Sequence, residues 1–565
     1  MSTRTAVFTM NFKMKTRFLA LAATLVCCLS CIETNSSIGG AFVPVTETYT
    51  FHTAEIPLEG ITMQMADNLS GFSDDRITVG AIREGEFGLT TRASAFALVP
   101  VIYGEFNVGK DPVFKSFHFA AARDTLSFLD PSQENILQHL HVYELSEALD
   151  VEKYDLNQTL AHGSKPVTKG TPVYNGTDSL SFDFTEEFGK KYLQLTKDDV
   201  ADMKTFLSRF PGIYIESDLP EGDGGRINML DVQLSYDANN KYVKGNYATL
   251  HYSAELNGVR KDTVMIFYYG AADFFDIDSL FNAYTGTFPQ YCLNVTGQQT
   301  RDRAGDAEET IWVEGGGGLK PVISARSLKR QVEQAISAAG GDPQDAVINK
   351  ASLVFPFDFP EDYKEMDIWP YRLSPTCRFV SDDGTSFMGL TDSSSSDENQ
   401  GDIDRSHFRY APDITYHMQE LLKVDESKTE SVGARNLARG NYDIWLLIMA
   451  QELQLNVSTT SKEQQEMLNY LAYSSYYNGM YGGYGGYGGY GYGGYGGYGY
   501  GDYGYSNYLN YAMMAQYASM AQTSTTQTVK LDKDRFYRAT LHGPADPDAD
   551  KVPKLLLTFA LPNQE

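Results

Sequence analysis

The sequence predicts a mainly β protein with two antiparallel β-sandwich-like domains, a few short helices and a disordered Gly/Tyr-rich loop. Short apolar runs, some alternating with polar residues, recur along the chain between clusters of Gly, Asn, Asp and Pro, as strands do. Few segments show the period of a helix. The chain has 565 residues, which is more than one hydrophobic core usually supports, so two domains are expected.

The chain begins with a segment typical of a secretory signal. Basic residues at positions 13, 15 and 17 precede an apolar run over residues 18–29. That run is too short to cross a bilayer comfortably as a permanent helix, and charge followed by a short apolar stretch is the order found in cleaved leaders. We therefore predict that residues 1–30 form a signal peptide.

Cys31 decides which kind of signal this is. The small residue Ser30 precedes it, which resembles the site where bacterial lipoprotein signals are cut and the new N-terminal cysteine is acylated. We predict lipid attachment at Cys31 and assign residues 31–56 to an acylated N-terminus and tether. The alternative is an ordinary secretory signal, because Cys28 stands where such sites usually carry Leu.

Residues 57–294 are predicted to form the first β-sandwich-like domain. Its last two strands are expected to pair across the turn Asn257-Gly258. Residues 188–207 are predicted to form one or two short helices, with a helix start at residues 196–199. The predicted strands of this domain cover residues 96–103, 125–129, 139–145, 179–184, 212–216, 229–236, 248–256 and 263–269.

A polar segment containing four successive glycines, residues 295–325, is predicted to be a junction loop before the second domain, residues 326–565. In that domain, residues 327–339 show helical spacing and end at two glycines. Residues 413–422 predict a short helix with Asp413 as its cap. The predicted strands cover residues 346–357, 369–373, 441–450, 536–542 and 555–560.

An insertion with helix-like ends interrupts the second domain over residues 460–525, and its middle, residues 476–505, is almost pure Gly and Tyr. Ordering so many glycines costs much entropy, and Tyr at every third position would alternate between the faces of a strand. We predict a flexible loop whose rings stack on sugars, other aromatic groups or protein surfaces. A repeat expansion tolerated in a surface loop is the alternative. The candidate contact residues are Tyr481, Tyr484, Tyr487, Tyr490, Tyr495, Tyr498 and Trp369.

The chain is strongly acidic, with a formal net charge of −27 at pH 7. Binding to nucleic acid requires Lys and Arg to neutralise phosphates, so no nucleic acid partner is expected. Anionic lipid surfaces repel such a chain as well. The acidic residues are mostly scattered, which favours a solvated surface.

No cofactor and no catalytic motif are predicted. The sequence lacks a nucleophile elbow, a phosphate loop, a dinucleotide fingerprint and a zinc-protease motif. His139 and His141 share one face of a predicted strand, but no third metal ligand is evident. Asp397, Asn399 and Gly401 match only part of a calcium loop, so a solvated loop is the preferred interpretation.

Besides Cys31, the chain after the signal carries Cys292 and Cys377. Two cysteines do not make a disulfide scaffold, and both one bridge and two buried thiols fit the sequence. Of the tryptophans that could form a sugar platform, Trp445 is expected in the core, whereas Trp369 precedes a proline and is the exposed candidate.

Turn and strand signatures recur along most of the chain, in Cys31 with residues 36–39 and in residues 79–94, 182–185, 212–215, 348–354 and 413–416. These stretches resemble the Bacteroidota lipoprotein family with the domain of unknown function number 4270. The resemblance implies a surface or outer-membrane lipoprotein of β-sandwich type and implies no activity. The Gly/Tyr tract departs from the family pattern and looks like an insertion. Only Glu33 supplies the acidic character that favours surface display in this phylum.

We therefore expect a non-enzymatic outer-membrane lipoprotein, displayed on the cell surface and held by its N-terminal lipid. It would act as a binding or scaffold component of an envelope assembly, with an envelope protein as its partner. The first alternative is a glycan-binding surface lipoprotein that uses exposed Tyr and Trp. The second alternative is a hydrolase whose acidic pair follows no recognisable motif.

Overall fold

The structure is a computed structural model of the chain. Its described part begins at Thr48, after the predicted signal peptide, and ends at Asn563. The described residues are 48–66, 69–73, 76–102, 104–124, 136–150, 156–232, 234–237, 242–270, 274–276, 292–361, 363–381, 384–394, 399–456 and 524–563.

Strands dominate the described residues, and the predicted fold class, mainly β with antiparallel sheets, is confirmed. The helices are α1 (Glu186–Tyr192), α2 (Met203–Arg209), α3 (Ala325–Ala338), α4 (Thr415–Leu422) and α5 (Val432–Ala438). The strands are β1 (Tyr49–Pro57), β2 (Ile61–Met65), β3 (Phe72–Ser73), β4 (Arg76–Glu84), β5 (Gly88–Phe96), β6 (Leu98–Ile102), β7 (Lys110–Ala122), β8 (Gln138–Leu145), β9 (His162–Pro166), β10 (Val173–Tyr174), β11 (Ser179–Asp183), β12 (Ile213–Ser217), β13 (Gly224–Asp231), β14 (Leu234–Asp237), β15 (Tyr242–Gly245), β16 (Ala248–Leu256), β17 (Val259–Tyr269), β18 (Phe275–Asp276), β19 (Cys292–Gln298), β20 (Gly305–Asp306), β21 (Thr310–Glu314), β22 (Leu319–Ile323), β23 (Val347–Pro356), β24 (Arg372–Ser381), β25 (Gly384–Gly389), β26 (Ile403–Asp404), β27 (Arg409–Tyr410), β28 (Ile444–Asn456), β29 (Ser524–Leu531), β30 (Arg538–His542) and β31 (Lys554–Pro562).

The first body consists of two sheets around a shared aromatic core. One sheet runs β10-β8-β12-β5-β19-β3, with β4 joining β5 to β13 and β9 beside β8; the other runs β11-β7-β16-β17-β6-β18. Phe96 on β5 stacks on Phe119 on β7, with ring centroids 5.9 Å apart. On β8, Leu140 and Val142 enter this core while the alternate residues face outward, as a half-buried antiparallel strand requires.

The hairpin predicted at Asn257-Gly258 is confirmed. Strands β16 and β17 pair antiparallel from Ala248↔Phe267 to Leu256↔Val259. Both turn residues have positive φ, 53° and 78°, which is the backbone that favours Asn-Gly in tight hairpins. The predicted strand at residues 125–129 lies outside the described residues.

The second body also has two main sheets, β1-β31-β23-β27-β26 and β20-β2-β22-β28-β24-β25, with β29 beside β28; β21 pairs with β30. Leu557 on β31 and Ile448 on β28 belong to one core. Helix α3 adds Leu328, Val332 and Ile336, which are spaced four residues apart and so share one helix face.

The N-terminal strands belong with the second body. Strand β1 pairs with β31 along its whole length, and β2 pairs with β22. The sequence interpretation started the first domain at residue 57, so the pairing corrects the assignment of residues 57–65. The cause is non-local, because the paired residues lie 254 to 513 positions further along the chain.

The predicted junction loop at residues 295–325 is also corrected. Strand β19 continues the large sheet of the first body through Gln298, and β20, β21 and β22 occupy much of the remaining segment. The four glycines at residues 315–318 connect β21 to β22 and are buried. A polar, glycine-rich composition suggested a solvated loop, but these glycines lie where neighbouring chain segments approach too closely for side chains.

The helices predicted at residues 188–207, 327–339 and 413–422 are present, each with a start that differs from the predicted one; the helix-like ends of the insertion lie outside the described residues. Helix α3 begins two residues before the predicted start at residue 327 and is capped by Ser324, which the sequence interpretation did not include. Helices α1 and α2 begin after Thr185 and Asp202, whereas residues 196–199 form a turn between them. Ile414, not Asp413, stands at the cap position of α4, but the Asp413 carboxylate accepts from the amide of Thr415, the first helical residue, at 3.0 Å. The amides of Tyr416 and His417 bond to the distant carboxylate of Asp392.

The two cysteines do not form a bridge. Cys292 is buried in the first core and Cys377 in the second, and each is a thiol. Burial raises the pKa of the Cys377 thiol to about 12. Of the two alternatives left by the sequence, two buried thiols is the one observed.

Within the described ranges, no helix is both long enough and apolar enough to cross a membrane.

Candidate functional site

Most of the predicted contact residues lie outside the described residues, and the one that is described is buried. Trp369 is 8% exposed, and its ring lies 4.8 Å from that of Phe357 in the second core. The prediction of an exposed Trp369 is therefore wrong, because the segment before β24 packs onto the core instead of forming a surface strand. Those outside the described residues are Cys31, Tyr481, Tyr484, Tyr487, Tyr490, Tyr495 and Tyr498.

The other two tryptophans are also packed against protein groups. Trp445 is 2% exposed, as its apolar run predicted, and contacts Phe387 edge-on. Trp312 is partly buried, and the guanidinium of Arg303 lies 4.0 Å from its ring centroid. A sugar platform made of the three tryptophans is therefore not present.

His139 and His141 lie on the outward face of β8, as predicted, and both approach Asp218. His141 Nε2 is 2.6 Å from one carboxylate oxygen, and His139 Nδ1 is 3.6 Å from the other. Across the described residues, no group of three or more His, Cys, Asp or Glu is arranged to hold a metal ion. Asp397 of the partial calcium pattern lies outside the described residues.

Strands β28 and β29 form a two-stranded arm that carries the Gly/Tyr insertion. Residues 444–449 of β28 pair with β24, and residues 444–445 also pair with β22. From residue 450 onward, β28 pairs only with β29 among the described residues. We call residues 450–456 and 524–530 the arm; seven residues per strand give a length of roughly 23 Å.

The two ends of the insertion meet at the tip of the arm. Asn456 and Ser524 are direct partners in the antiparallel register, so the chain leaves and returns at adjacent positions. Residues 457–523, which contain the Gly/Tyr tract, are thus inserted where a two-residue turn would suffice. The predicted insertion at residues 460–525 has its ends within three residues of these positions.

A buried network of charged and polar groups lies between the two bodies, at the base of the arm. We call it the ionic seam. Such groups are costly to bury unless they are paired and hydrogen-bonded. Its members are Arg76, Arg92, Asp124, Asn294, Glu314, Lys320, Asp532, Asp534 and Arg535, all under 9% exposed.

Asp534, which follows the arm, bonds to side chains of the first body. Arg76 on β4 lies 3.5 Å from Asp534 and 3.0 Å from Asp124. The side-chain amide of Asn294 on β19 donates to Asp534 at 3.1 Å. Burial raises the pKa of the Asp534 carboxyl, although the positive charge of Arg76 opposes this.

Arg92 on β5 bonds to the backbone of the same segment. Its two terminal nitrogens donate to the carbonyl oxygens of Lys533 at 3.3 Å and Arg535 at 3.4 Å. Burial lowers the pKa of the Arg92 guanidinium, and nearby carboxylates oppose that change. The first body therefore binds the base of the arm through side chains from three of its strands.

Lys320 occupies a cradle of backbone oxygens formed by the glycine segment. Its ammonium donates to the carbonyl oxygens of Glu314, Gly316 at 3.1 Å and Gly318 at 3.0 Å. The Glu314 carboxylate in turn accepts from the amide of Leu319 at 3.1 Å. Burial lowers the pKa of Lys320 to about 7 despite the neighbouring carboxylate.

Strongly perturbed buried charges occur both in active sites and in structural ion-pair networks. Here the perturbed groups bond to each other and to backbone, which is the arrangement of a structural network. The sequence reasoning missed it. Its only sequence signal is the charged run 532–535 between two strands, and a charge run more often lies on a solvated face.

Comparison with known proteins gives no relative on which a function could be based. No family model matches the chain. Neither a curated protein nor a solved structure matches it. The resemblance to the Bacteroidota lipoprotein family thus stays a prediction.

Proposed function

We propose that this protein is a non-enzymatic, lipid-anchored outer-membrane protein, displayed at the cell surface, that binds an envelope protein partner through the insertion on its arm. The N-terminal lipid at Cys31 would hold the protein at the membrane. The two β bodies would act as the scaffold. No cofactor and no nucleic acid take part in this proposal.

The register of the arm carries the proposal. Both ends of residues 457–523 are adjacent partners at a hairpin tip, so the insertion leaves the pairing of the two arm strands uninterrupted. Tyrosine supplies large, amphipathic contact area, which is why it is frequent in binding surfaces. An arm with this insertion at its tip suits the capture of a partner beyond the body.

The ionic seam supports the same interpretation. Residues 533–535 lie shortly after the arm and are bonded to β4, β5 and β19 of the first body. Buried ion pairs and hydrogen bonds at its base therefore connect the binding element to both bodies rather than to one strand. Such a base is useful to a scaffold component in a membrane assembly.

Replacement of the insertion tests the proposal. In the full-length protein, residues 457–523 are replaced by Asn-Gly, the two-residue turn that suits a tight hairpin between Asn456 and Ser524. We expect the body to fold unchanged and a stoichiometric partner set, captured from native membranes in mild detergent, to be lost. Quantitative mass spectrometry of the captured proteins is the measurement.

Two controls separate the parts of the proposal. Changing Tyr481, Tyr484, Tyr487, Tyr490, Tyr495 and Tyr498 to Ser keeps the loop length and should also lose the partner set. Cys31→Ala should abolish acylation, measured by mass spectrometry of the mature protein. An identical partner set with and without the insertion would exclude the arm as the binding element, and the absence of partners in both would exclude the scaffold role.

A ring stack on the first body favours a second candidate function, glycan binding. Four outward rings on β8, β9 and β12 stack in sequence, with centroids 6.3 Å apart from His141 to Tyr143, 4.7 Å to His162 and 4.8 Å to Tyr214. Carboxylates of Glu216 and Asp218 lie beside the stack. Rings next to carboxylates are suitable for binding a sugar through contacts to its ring and hydroxyl groups.

A glycan array tests the second candidate. We expect retention on at least one polysaccharide, weakened tenfold or more by Tyr143→Ala. Tyr416→Ala, which removes an exposed ring on α4 of the second body, is the matched control. Equal retention of both variants on the polysaccharide would show that the ring stack is not a glycan-binding site.

A further inference from the structure

One end of the β1-β31-β23 sheet presents an exposed apolar patch. Among the outward residues, Phe51 is 64% exposed, Tyr49 is 50% exposed and Val347 is 43% exposed. Phe51 and Val347 flank Ala560, which is only 3% exposed, in one cross-strand row, and Tyr49 faces Pro562 in the next. We call these five residues the apolar end.

The other end of the same face has balanced charges. Glu55 on β1 pairs with Lys554 on β31 at 2.8 Å, and Lys350 on β23 pairs with Asp413 at 2.8 Å. The chain as a whole carries a net charge of −27, so most of its surface would be repelled by anionic lipid. On the outward face of the β1-β31-β23 sheet the charges are paired and aromatic rings are exposed, so anionic lipid would repel this face less than the rest of the surface.

The patch also lies where the chain would reach its anchor. The described chain begins at Thr48, directly before Tyr49, and the predicted lipid is on Cys31. The intervening residues 32–47 can span at most roughly 55 Å even when fully extended. Among the described residues, the beginning of β1 is therefore the part closest to the anchor along the chain.

We infer that the apolar end of the β1-β31-β23 sheet rests on the lipid bilayer surface and sets the orientation of the anchored protein. Exposed Tyr and Phe suit this role because aromatic rings favour the membrane–water interface. The inference rests on the proposed lipid anchoring, since a patch of this size would hold an untethered protein only weakly. The anchor supplies the membrane binding, and the patch determines which face meets the lipid.

Fluorescence quenching by brominated phosphatidylcholine tests this orientation. Full-length acylated protein carrying Phe51→Trp is reconstituted on vesicles with and without the brominated lipid. Val259→Trp is the control, because Val259 is 55% exposed but lies at the β16/β17 turn of the first body. We expect the tryptophan at position 51 to lose at least half of its emission and the one at position 259 to be unaffected, after subtraction of the parent protein.

Two results would overturn the inference. The first is that the tryptophan at position 51 is quenched less than the one at position 259 although the protein floats with the vesicles. The second is that both tryptophans are quenched to the same extent. If mass spectrometry finds no acyl group, the proposed anchoring fails separately. The same quenching is then measured on a chain that begins at Cys31 and is coupled there to a maleimide phospholipid, so the orientation is still decided.

Discussion

Gly315 lies too close to the segment after the arm to carry a side chain. A Cβ built there would be 2.6 Å from the carbonyl oxygen of Arg535 and 2.9 Å from the amide nitrogen of Tyr537. We expect Gly315→Ala to lower the free energy of unfolding by about 1–3 kcal/mol, because backbone would have to shift. Denaturant unfolding followed by circular dichroism measures this, and Gly85→Ala, with nothing within 4 Å of its Cβ, is the control. Equal losses in the two variants would contradict the close approach.

Lys320 should make stability depend on pH. Burial lowers the pKa of its ammonium from 10.5 to about 7, so between these values the unfolded chain binds a proton that the folded chain does not. The free energy of unfolding therefore rises as the pH increases from 7 towards 10.5, by at most about 1.4 kcal/mol per pH unit. The same stability is lost when the pH is lowered from 10.5 to 7.

Comparison with Lys320→Met isolates this effect. The unfolding free energy of the parent minus that of the variant should increase between pH 7 and pH 9.5. Lys423→Met, which removes an exposed lysine paired with Glu420, should show no such change. A difference that stays constant over this range would mean that Lys320 keeps its ordinary pKa.

At the scale of elements, helix α4 depends on a residue from another part of the chain. The carboxylate of Asp392 accepts from the backbone amides of Tyr416 at 2.6 Å and His417 at 3.0 Å. We expect Asp392→Ala to lower the free energy of unfolding by about 1–2 kcal/mol, as the loss of an N-terminal cap does. Thermal unfolding measures the change. Glu420→Ala removes only an exposed ion pair on the same helix and should change stability little; similar losses would argue against Asp392 as the cap.

Elements whose signal lies in neighbouring residues were predicted well. The β16/β17 hairpin follows from Asn257-Gly258, and α3 follows from the apolar spacing of residues 327–339 and the two glycines after it. The cap of α4 was assigned to Asp413 because that residue is adjacent in sequence. Asp413 does accept from the amide of Thr415 at 3.0 Å, but the acceptor of the next two amides is Asp392, 23 residues upstream of the helix, which no local pattern could indicate.

At the scale of the whole molecule, the ionic seam should make the two bodies unfold together. Arg76 on the first body pairs with Asp124 and with Asp534, which belongs to the segment after the arm. Arg76→Met would leave these carboxylates buried without that charge. We expect the free energy of unfolding to fall by about 3–5 kcal/mol. Calorimetry should then show two separate unfolding transitions in place of one.

An exposed ion pair supplies the control for this prediction. Lys115 and Asp262 are paired on the surface of the first body, so Lys115→Met should change stability by less than about 1 kcal/mol. Calorimetry of the parent and both variants is the measurement. A single transition in the Arg76→Met protein would show that the Arg76 ion pairs are not what couples the bodies, and two transitions in the parent would show that the seam does not couple them.

The sequence by itself determined the mainly β class, the tight hairpin, the main helix and the position of the insertion, because each depends on residues close together in the chain. The tertiary structure alone decided that β1 completes the sheet of the last strand, that Trp369 is buried and that the charged run 532–535 lies in the ionic seam. These depend on which distant strand supplies the missing backbone partners and which surface covers a side chain. The free energies of strand pairing and of side-chain burial depend on contacts between remote segments. The composition and periodicity of one segment do not specify which segment will be its partner.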